Sequence, residues 1–281
     1  MFQRVGVVGC GLMGSGIAQV CGQAGLDVVV VEANPRVAEA GRARLEASLA
    51  KAEERGKVDS ADAILDRIDV TSEINHLHDR EIVIEAIAEH PAAKTELFKR
   101  LDGIVEAKEA ILASNTSSIP ISTIAAATKR PEYVLGVHFF NPVPVLSLVE
   151  LVPSLLTSAT TVERARVFAA DQLGKHPITA PDRAGFVVNA LLVPFILAAI
   201  RMLESGVATA EDIDEGLVRG AAHPQGPLAL ADLIGLDTMV SVAESLYEEF
   251  KEPTYAPPPL LRRMVEAGLL GRKSGRGFYQ Y

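Results

Sequence analysis

Tryptophan is absent from this 281-residue chain, yet 48% of its residues are hydrophobic. That profile is an ordinary globular one and excludes a disordered or fibrous protein. A basic excess is lacking too: 27 Lys and Arg stand against 36 Asp and Glu, for a formal net charge of −9. Such a balance argues against nucleic acid or an anionic membrane as the main partner, while leaving room for an anionic ligand at a local site. Cysteine is scarce, with Cys10 and Cys21 only, and both fall in one strand–loop–helix pattern, which reads as reduced cytosolic thiols. No apolar stretch approaches the roughly 20 residues that span a bilayer. The longest, Phe186–Ile200, is broken by Asn189 and Pro194 and reads as a buried helix. The opening MFQRVGVVGCG lacks the pattern of a secretory signal, so a soluble cytoplasmic protein is expected. There is no internal repeat or low-complexity tract.

What is present is alternation. Apolar strand-like runs occur at Val5–Gly9, Asp27–Glu32, Glu81–Ile87, Ala110–Ser114 and Tyr133–Phe140, with helical patterns between most of them. Continuous apolar strands separated by helices predict an α/β fold with a doubly wound parallel sheet covered on both faces. Strand signals vanish after APDRAGF (Ala180–Phe186), and the rest is helical with Pro/Gly joints. The expected organisation is a Rossmann-type N-terminal domain over residues 1–183 and an all-α domain over 184–281.

Gly9-Cys10-Gly11-Leu12-Met13-Gly14 fits G-x-G-x-x-G, directly after the first strand and at the head of a helix. Glu32 closes the second strand. Together these read as a dinucleotide site, with pyrophosphate on the helix N-terminus and ribose hydroxyls on Glu32. An acidic residue there repels a 2′-phosphate and favours NAD over NADP, although nearby Arg36 is a residue that such a phosphate would suit.

A second constellation lies in GVHFFNPVPVLSLVE (Gly136–Glu150), where His138 and Glu150 sit among core-type residues. A hairpin centred near Pro144 places them opposite each other. The carboxylate then fixes the tautomer and stabilises imidazolium, and the second ring nitrogen takes a proton from a substrate hydroxyl. A structural pair filling the core is the competing reading. SNTSS (Ser114–Ser118) follows a strand's carboxyl end, where open α/β sheets bind ligands, or else forms a helix cap. Asn189 is an amide in an apolar helix, in need of a partner. His76 and His78 in NHLHD lack a further ligand cluster, and no metal is expected. His90 reads as a loop residue, and His176 and His223, each before a proline, as joints.

In order along the chain, GCGLMGSGIA, ASNTSSIPI, GVHFFNPVPV…LVELV, AGFVVNALL, HPQGPL, DLIGLDT and GRKSGRGFY resemble the short-chain L-3-hydroxyacyl-CoA dehydrogenase family, on the side of its bacterial 3-hydroxybutyryl-CoA members, over nearly the whole length. The resemblance implies NAD-dependent oxidation of an (S)-3-hydroxyacyl-CoA. It makes His138 the general base and Glu150 its partner, and it gives the substrate oxygen to Ser117 and Asn189. Lys51 matches a lysine that meets CoA phosphate. Glu89 and Lys94 match positions near the nicotinamide, and Asn115 joins the cofactor-binding set with Gly9, Gly11, Leu12, Met13, Gly14 and Glu32. The helical domain is implied to form a homodimer. Departures at Ser147, Ala190, Gln225 and Ala229 touch no catalytic group and bear on acyl preference and on the thioester handle. A dehydrogenase of a carrier-bound or free hydroxy or sugar acid, and a non-catalytic NAD-binding structural protein, are the alternatives.

Overall fold

Strand assignments follow the apolar runs. In the computed structural model, which describes residues 1–281, the strands are Arg4–Val8 (β1), Asp27–Val31 (β2), Ile68–Thr71 (β3), Ile82–Glu85 (β4), Ile111–Ser114 (β5), Val134–Phe139 (β6), Leu148–Pro153 (β7) and His176–Thr179 (β8). They form one sheet in the order β3-β2-β1-β4-β5-β6-β7-β8, parallel except for the antiparallel β6–β7 pair. The order reverses between β1 and β4, on either side of the glycine loop. Val28 and Val30 enter one core cluster while Val29, on the opposite face, is buried as well. Both faces are covered, so no polar alternation marks these strands.

The helices of this part are Leu12–Gln23 (α1), Pro35–Glu54 (α2), Ala61–Leu65 (α3), Pro91–Ile104 (α4), Ile121–Ala125 (α5) and Ala159–Val167 (α6). Helix α1 begins at Leu12, within the glycine motif. Its first turn is made of the glycine motif itself, which carries no apolar period. Two strands escape the apolar criterion. β3 (IDVT) is half exposed at one sheet edge, and β8 (HPIT) opens on a His-Pro pair at the other. Proline is tolerated there because an edge strand has one unpaired side. His176 is thus a strand residue rather than a joint. His90 is a loop residue that also caps α4, its Nδ1 accepting from the Ala93 N–H at 3.3 Å.

Contacts divide the chain into two compact units, Met1–Asp182 and Arg183–Tyr281. The second holds Val188–Glu204 (α7), Ala210–Gly220 (α8), Pro227–Ile234 (α9), Leu236–Phe250 (α10) and Pro259–Glu266 (α11), packed around Ile196, Ile200, Leu228, Leu236, Leu246 and Leu261. Two buried carboxylates organise it. Asp214 accepts from the Leu228 and Ala229 N–H groups at the head of α9, and Asp232 accepts from the Phe278 and Tyr279 N–H groups, fixing the basic tail. No helix is long and apolar enough to cross a membrane.

Candidate active site

The glycine loop turns between β1 and α1. Gly9 has φ +95°, and a Cβ there would lie 2.7 Å from the Ala86 carbonyl oxygen. A Cβ at Gly14 would overlap the Gly9 carbonyl, so α1 rests directly on the turn. A Cβ at Gly11, by contrast, would meet no atom within 4 Å. The loop therefore leaves open space above the first turn of α1, whose N–H groups have neither a side-chain cap nor an acidic neighbour. That is the form of an anion cradle. Glu32 reaches back to the same loop, accepting from the Cys10 N–H at 2.5 Å and the Ala33 N–H at 3.0 Å. A dinucleotide fits this arrangement. The first turn of α1 would hold its pyrophosphate and Glu32 its adenosine ribose.

Two features here carry no sequence signal. The Arg44 guanidinium donates to the Cys10 carbonyl at 2.5 Å, so Glu32 and Arg44 hold both sides of that residue. Gly41 brings α2 against Cys10, because a Cβ at 41 would lie 2.5 Å from the Cys10 Cβ. Burial pushes the Cys10 thiol up to about 11, with Glu32 adding to the shift and Arg44 opposing it.

On the other side, the segments after β4 and β5 form one polar network. Glu85, the buried last residue of β4, accepts from Lys94 Nζ at 2.6 Å, Ser114 Oγ at 2.6 Å and the Ile87 N–H at 2.7 Å. Lys94 also meets Glu89 Oε2 at 3.0 Å. Glu89 Oε1 accepts from the N–H groups of Ser117 (3.1 Å) and Ser118 (3.3 Å), from Ser118 Oγ, and from Thr116 Oγ1 through a short contact. Burial alone raises the Glu89 carboxyl, but Lys94 and the Thr116 and Ser117 donors outweigh it and hold the group below its ordinary range. SNTSS is not the cap of the helix that follows. Asp182 does that, accepting from the Ile121 and Ser122 N–H groups at 2.7 and 2.8 Å.

His138 lies on β6 and Glu150 on β7, directly paired in register, with His138 Nδ1 2.7 Å from Glu150 Oε2. Both side chains are buried. A hydrogen bond at Nδ1 fixes the orientation of the ring. Asn115 Oδ1 accepts from the Phe139 N–H at 2.9 Å, joining the Ser114–Ser118 segment to the histidine strand. The turn after β6 is held by Lys175, which donates to the Val143 and Leu146 carbonyls at 2.6 and 2.8 Å. Val143 in turn touches α1, since a Cβ at Gly16 would lie 2.8 Å from it.

The structure thus joins Glu89, Lys94, Asn115 and the Ser117 backbone in one cluster, and His138 with Glu150 in a second tied to it through Asn115. Lys51 stands apart, exposed on α2 beside a cleft of about 940 Å³ whose lining includes Arg55, Lys57, Arg67, Pro142 and Pro144. Asn189 is in the first turn of α7, half-buried. His76 and His78 are exposed; His76 Nδ1 is 3.8 Å from Asp69, and His78 Nδ1 bonds the Asn75 carbonyl. Sequence reasoning missed Glu85 as part of the site, and although it singled out the segment holding Ser114, it missed the bond between the two. The signal was there for Glu85: a carboxylate ending the apolar run IVIE requires a buried partner.

Comparison with known proteins places the chain in a family. Residues 4–183 match the family model "3-hydroxyacyl-CoA dehydrogenase, NAD binding domain" and residues 185–281 match "3-hydroxyacyl-CoA dehydrogenase, C-terminal domain". The chain is 56% identical over 281 residues to a 3-hydroxybutyryl-CoA dehydrogenase of Mycobacterium tuberculosis, covering 99% of this chain and 98% of that protein. It is 40% identical over 288 residues to the human mitochondrial hydroxyacyl-coenzyme A dehydrogenase, covering 99% and 91%. Its fold superposes on an (S)-3-hydroxybutyryl-CoA dehydrogenase from Ralstonia eutropha with a TM-score of 0.94 at 47% identity, covering 100% of this chain and 99% of that one.

Proposed function

Because the chain belongs to the 3-hydroxyacyl-CoA dehydrogenase family, we propose that it oxidises a short-chain (S)-3-hydroxyacyl-CoA, such as 3-hydroxybutyryl-CoA, reversibly to the 3-ketoacyl thioester. The observation that carries this reading is the buried His138–Glu150 pair on one rung of β6–β7. The Gly9–Gly14 loop, Glu32, Asn115 and the Glu89–Lys94 segment would hold NAD, which when bound would supply a hydride acceptor. His138 takes the proton from the 3-hydroxyl, and Glu150 stabilises the imidazolium that results. Ser117 holds the substrate oxygen in line, and Lys51 meets a CoA phosphate. In the reducing direction His138 is the acid.

In this reading residues 1–183 carry the cofactor and the base, and residues 184–281 carry the surface of a homodimer. Exposed Leu191 and Leu233 of the helical unit suit such a contact. A cytoplasmic location accords with two cysteines left unbridged.

The test is NADH oxidation with acetoacetyl-CoA, with free acetoacetate as control and NADPH alongside. Turnover confined to the CoA ester and NADH supports the base, the handle and the role of Glu32 together. Turnover on the free acid alone, or NADH binding with no turnover on either, overturns the reading in favour of a different hydroxy acid or a scaffold that does not catalyse.

A further inference from the structure

The three charged groups around Lys94 do not balance. Glu85, the last residue of β4, is fully buried, and Lys94, in the first turn of α4, is 1% exposed. A buried ion pair of this kind stabilises a fold little, and often less than an apolar pair of the same volume. Here the lysine is shared. Its Nζ lies 2.6 Å from Glu85 and 3.0 Å from Glu89. With one positive and two negative charges, the trio keeps one negative charge. It is expressed at Glu89, because Glu85 is enclosed and its oxygens take up Lys94, Ser114 and the Ile87 N–H.

The position of that charge follows from the sheet. Adenosine is directed toward Glu32 beyond β2, so the other half of the dinucleotide crosses toward the loops after β4 and β5, where Glu89 accepts from Ser117 and Ser118. In a dinucleotide of this class the ring at that end is cationic when oxidised and neutral when reduced. A fixed negative charge beside it discriminates between the two.

We propose that Glu85 is a positioning residue that sets the redox preference of the cofactor site: by occupying Lys94 it leaves Glu89 with an uncompensated negative charge, and so favours binding of NAD⁺ over NADH. The inference rests on the dehydrogenase reading. Removing one unit charge within about 10 Å, at an effective dielectric of about 20 to 40, changes an affinity on the order of tenfold.

The experiment is equilibrium binding of NAD⁺, NADH and ADP-ribose to the full-length protein, with wild type, Glu85→Gln, and the double variant Glu85→Gln/Lys94→Gln. In Glu85→Gln the trio becomes neutral, and the ratio of NAD⁺ to NADH dissociation constants should rise about tenfold. ADP-ribose, which lacks the nicotinamide, should be affected about twofold at most. In the double variant one negative charge is restored, and the ratio should return toward wild type although two buried polar groups have changed. A structural role predicts the opposite order, with the double variant at least as impaired as the single one. An unchanged ratio in Glu85→Gln overturns the inference, as does a parallel loss of all three ligands. If Glu85→Gln does not fold, the double variant decides: a wild-type ratio supports the inference and a ratio shifted as for a neutral site overturns it. Wild-type protein that binds none of the three ligands overturns the dehydrogenase reading itself, an outcome distinct from a failure confined to the variants.

Discussion

His138 and Glu150 share one rung of the β6–β7 ladder, 12 residues apart in the chain, with Nδ1 and Oε2 separated by 2.7 Å. A charge buried in this way is useful when a partner must become positive during the reaction. Replacing His138 by Gln should lower kcat by roughly 10²–10⁴-fold, and Glu150→Gln should lower it in the same direction by less. Both variants should retain NADH affinity. Steady-state kinetics with an NADH titration checks this; near-normal turnover of His138→Gln rules the base out.

Gly41 is the contact through which α2 supports the glycine loop. An alanine there must push against the Cys10 side chain, where the Cβ and Sγ lie 2.5 and 2.8 Å from the new methyl. Gly41→Ala should destabilise the protein by about 1–3 kcal/mol, as overpacking does. NADH affinity should fall with it, because the shift is passed to the residue that Glu32 and Arg44 hold. Thermal unfolding and NADH binding measured on one preparation separate the two effects. A variant as stable and as tight-binding as wild type would contradict the packing.

Glu89 couples stability to acid. Its folded carboxyl is held below the ordinary value of 4.5 by Lys94 and its other donors, against the opposing effect of burial. A depressed carboxylate contributes stability that is fully present above the unfolded value and is lost as pH falls through the folded one. Glu89→Gln should therefore be less stable than wild type at neutral pH, and the gap should close as pH falls below 4.5 through the depressed folded value. Urea unfolding at several pH values reads this directly, and a gap independent of pH would refute it.

Both cysteines should be unreactive in the native protein. Burial raises the Cys10 thiol to about 11 and the fully enclosed Cys21 thiol to about 12. The thiolate fraction near neutrality is then minute. A colorimetric thiol titration should detect almost nothing before denaturant is added and two groups afterwards. One rapidly reacting thiol in the native state would be inconsistent with the packing at Cys10.

Much of this was legible in the sequence because the physics is local. The β1–α1–β2 unit showed itself by two continuous apolar runs around a glycine pattern, and the His138–Glu150 pair by polar residues in an apolar stretch with a proline turn midway. What stayed hidden depends on position in the finished sheet. β3 and β8 are edges, so neither needs an unbroken apolar run. The role of Gly41 exists only once α2 lies over the loop. His90 does lie in a loop, but its capping role stayed hidden because a histidine is an uncommon N-cap. Glu85 followed the same rule as Glu150, a carboxylate within an apolar strand, but its partner is a lysine on the next helix and not a residue across a visible turn.

The hairpin that carries the base also checks its own assembly. Val149 and Leu151, the neighbours of Glu150, belong to the apolar cluster on the opposite face. If β7 paired with β6 one residue out of step, Glu150 would be driven into that cluster and an aliphatic side chain would come to lie beside His138. The misaligned form would bury an unpaired carboxylate and expose core surface at once. An inactive alignment is thereby an unstable one, and the residues proposed to move the proton also enforce the fidelity with which the two strands meet.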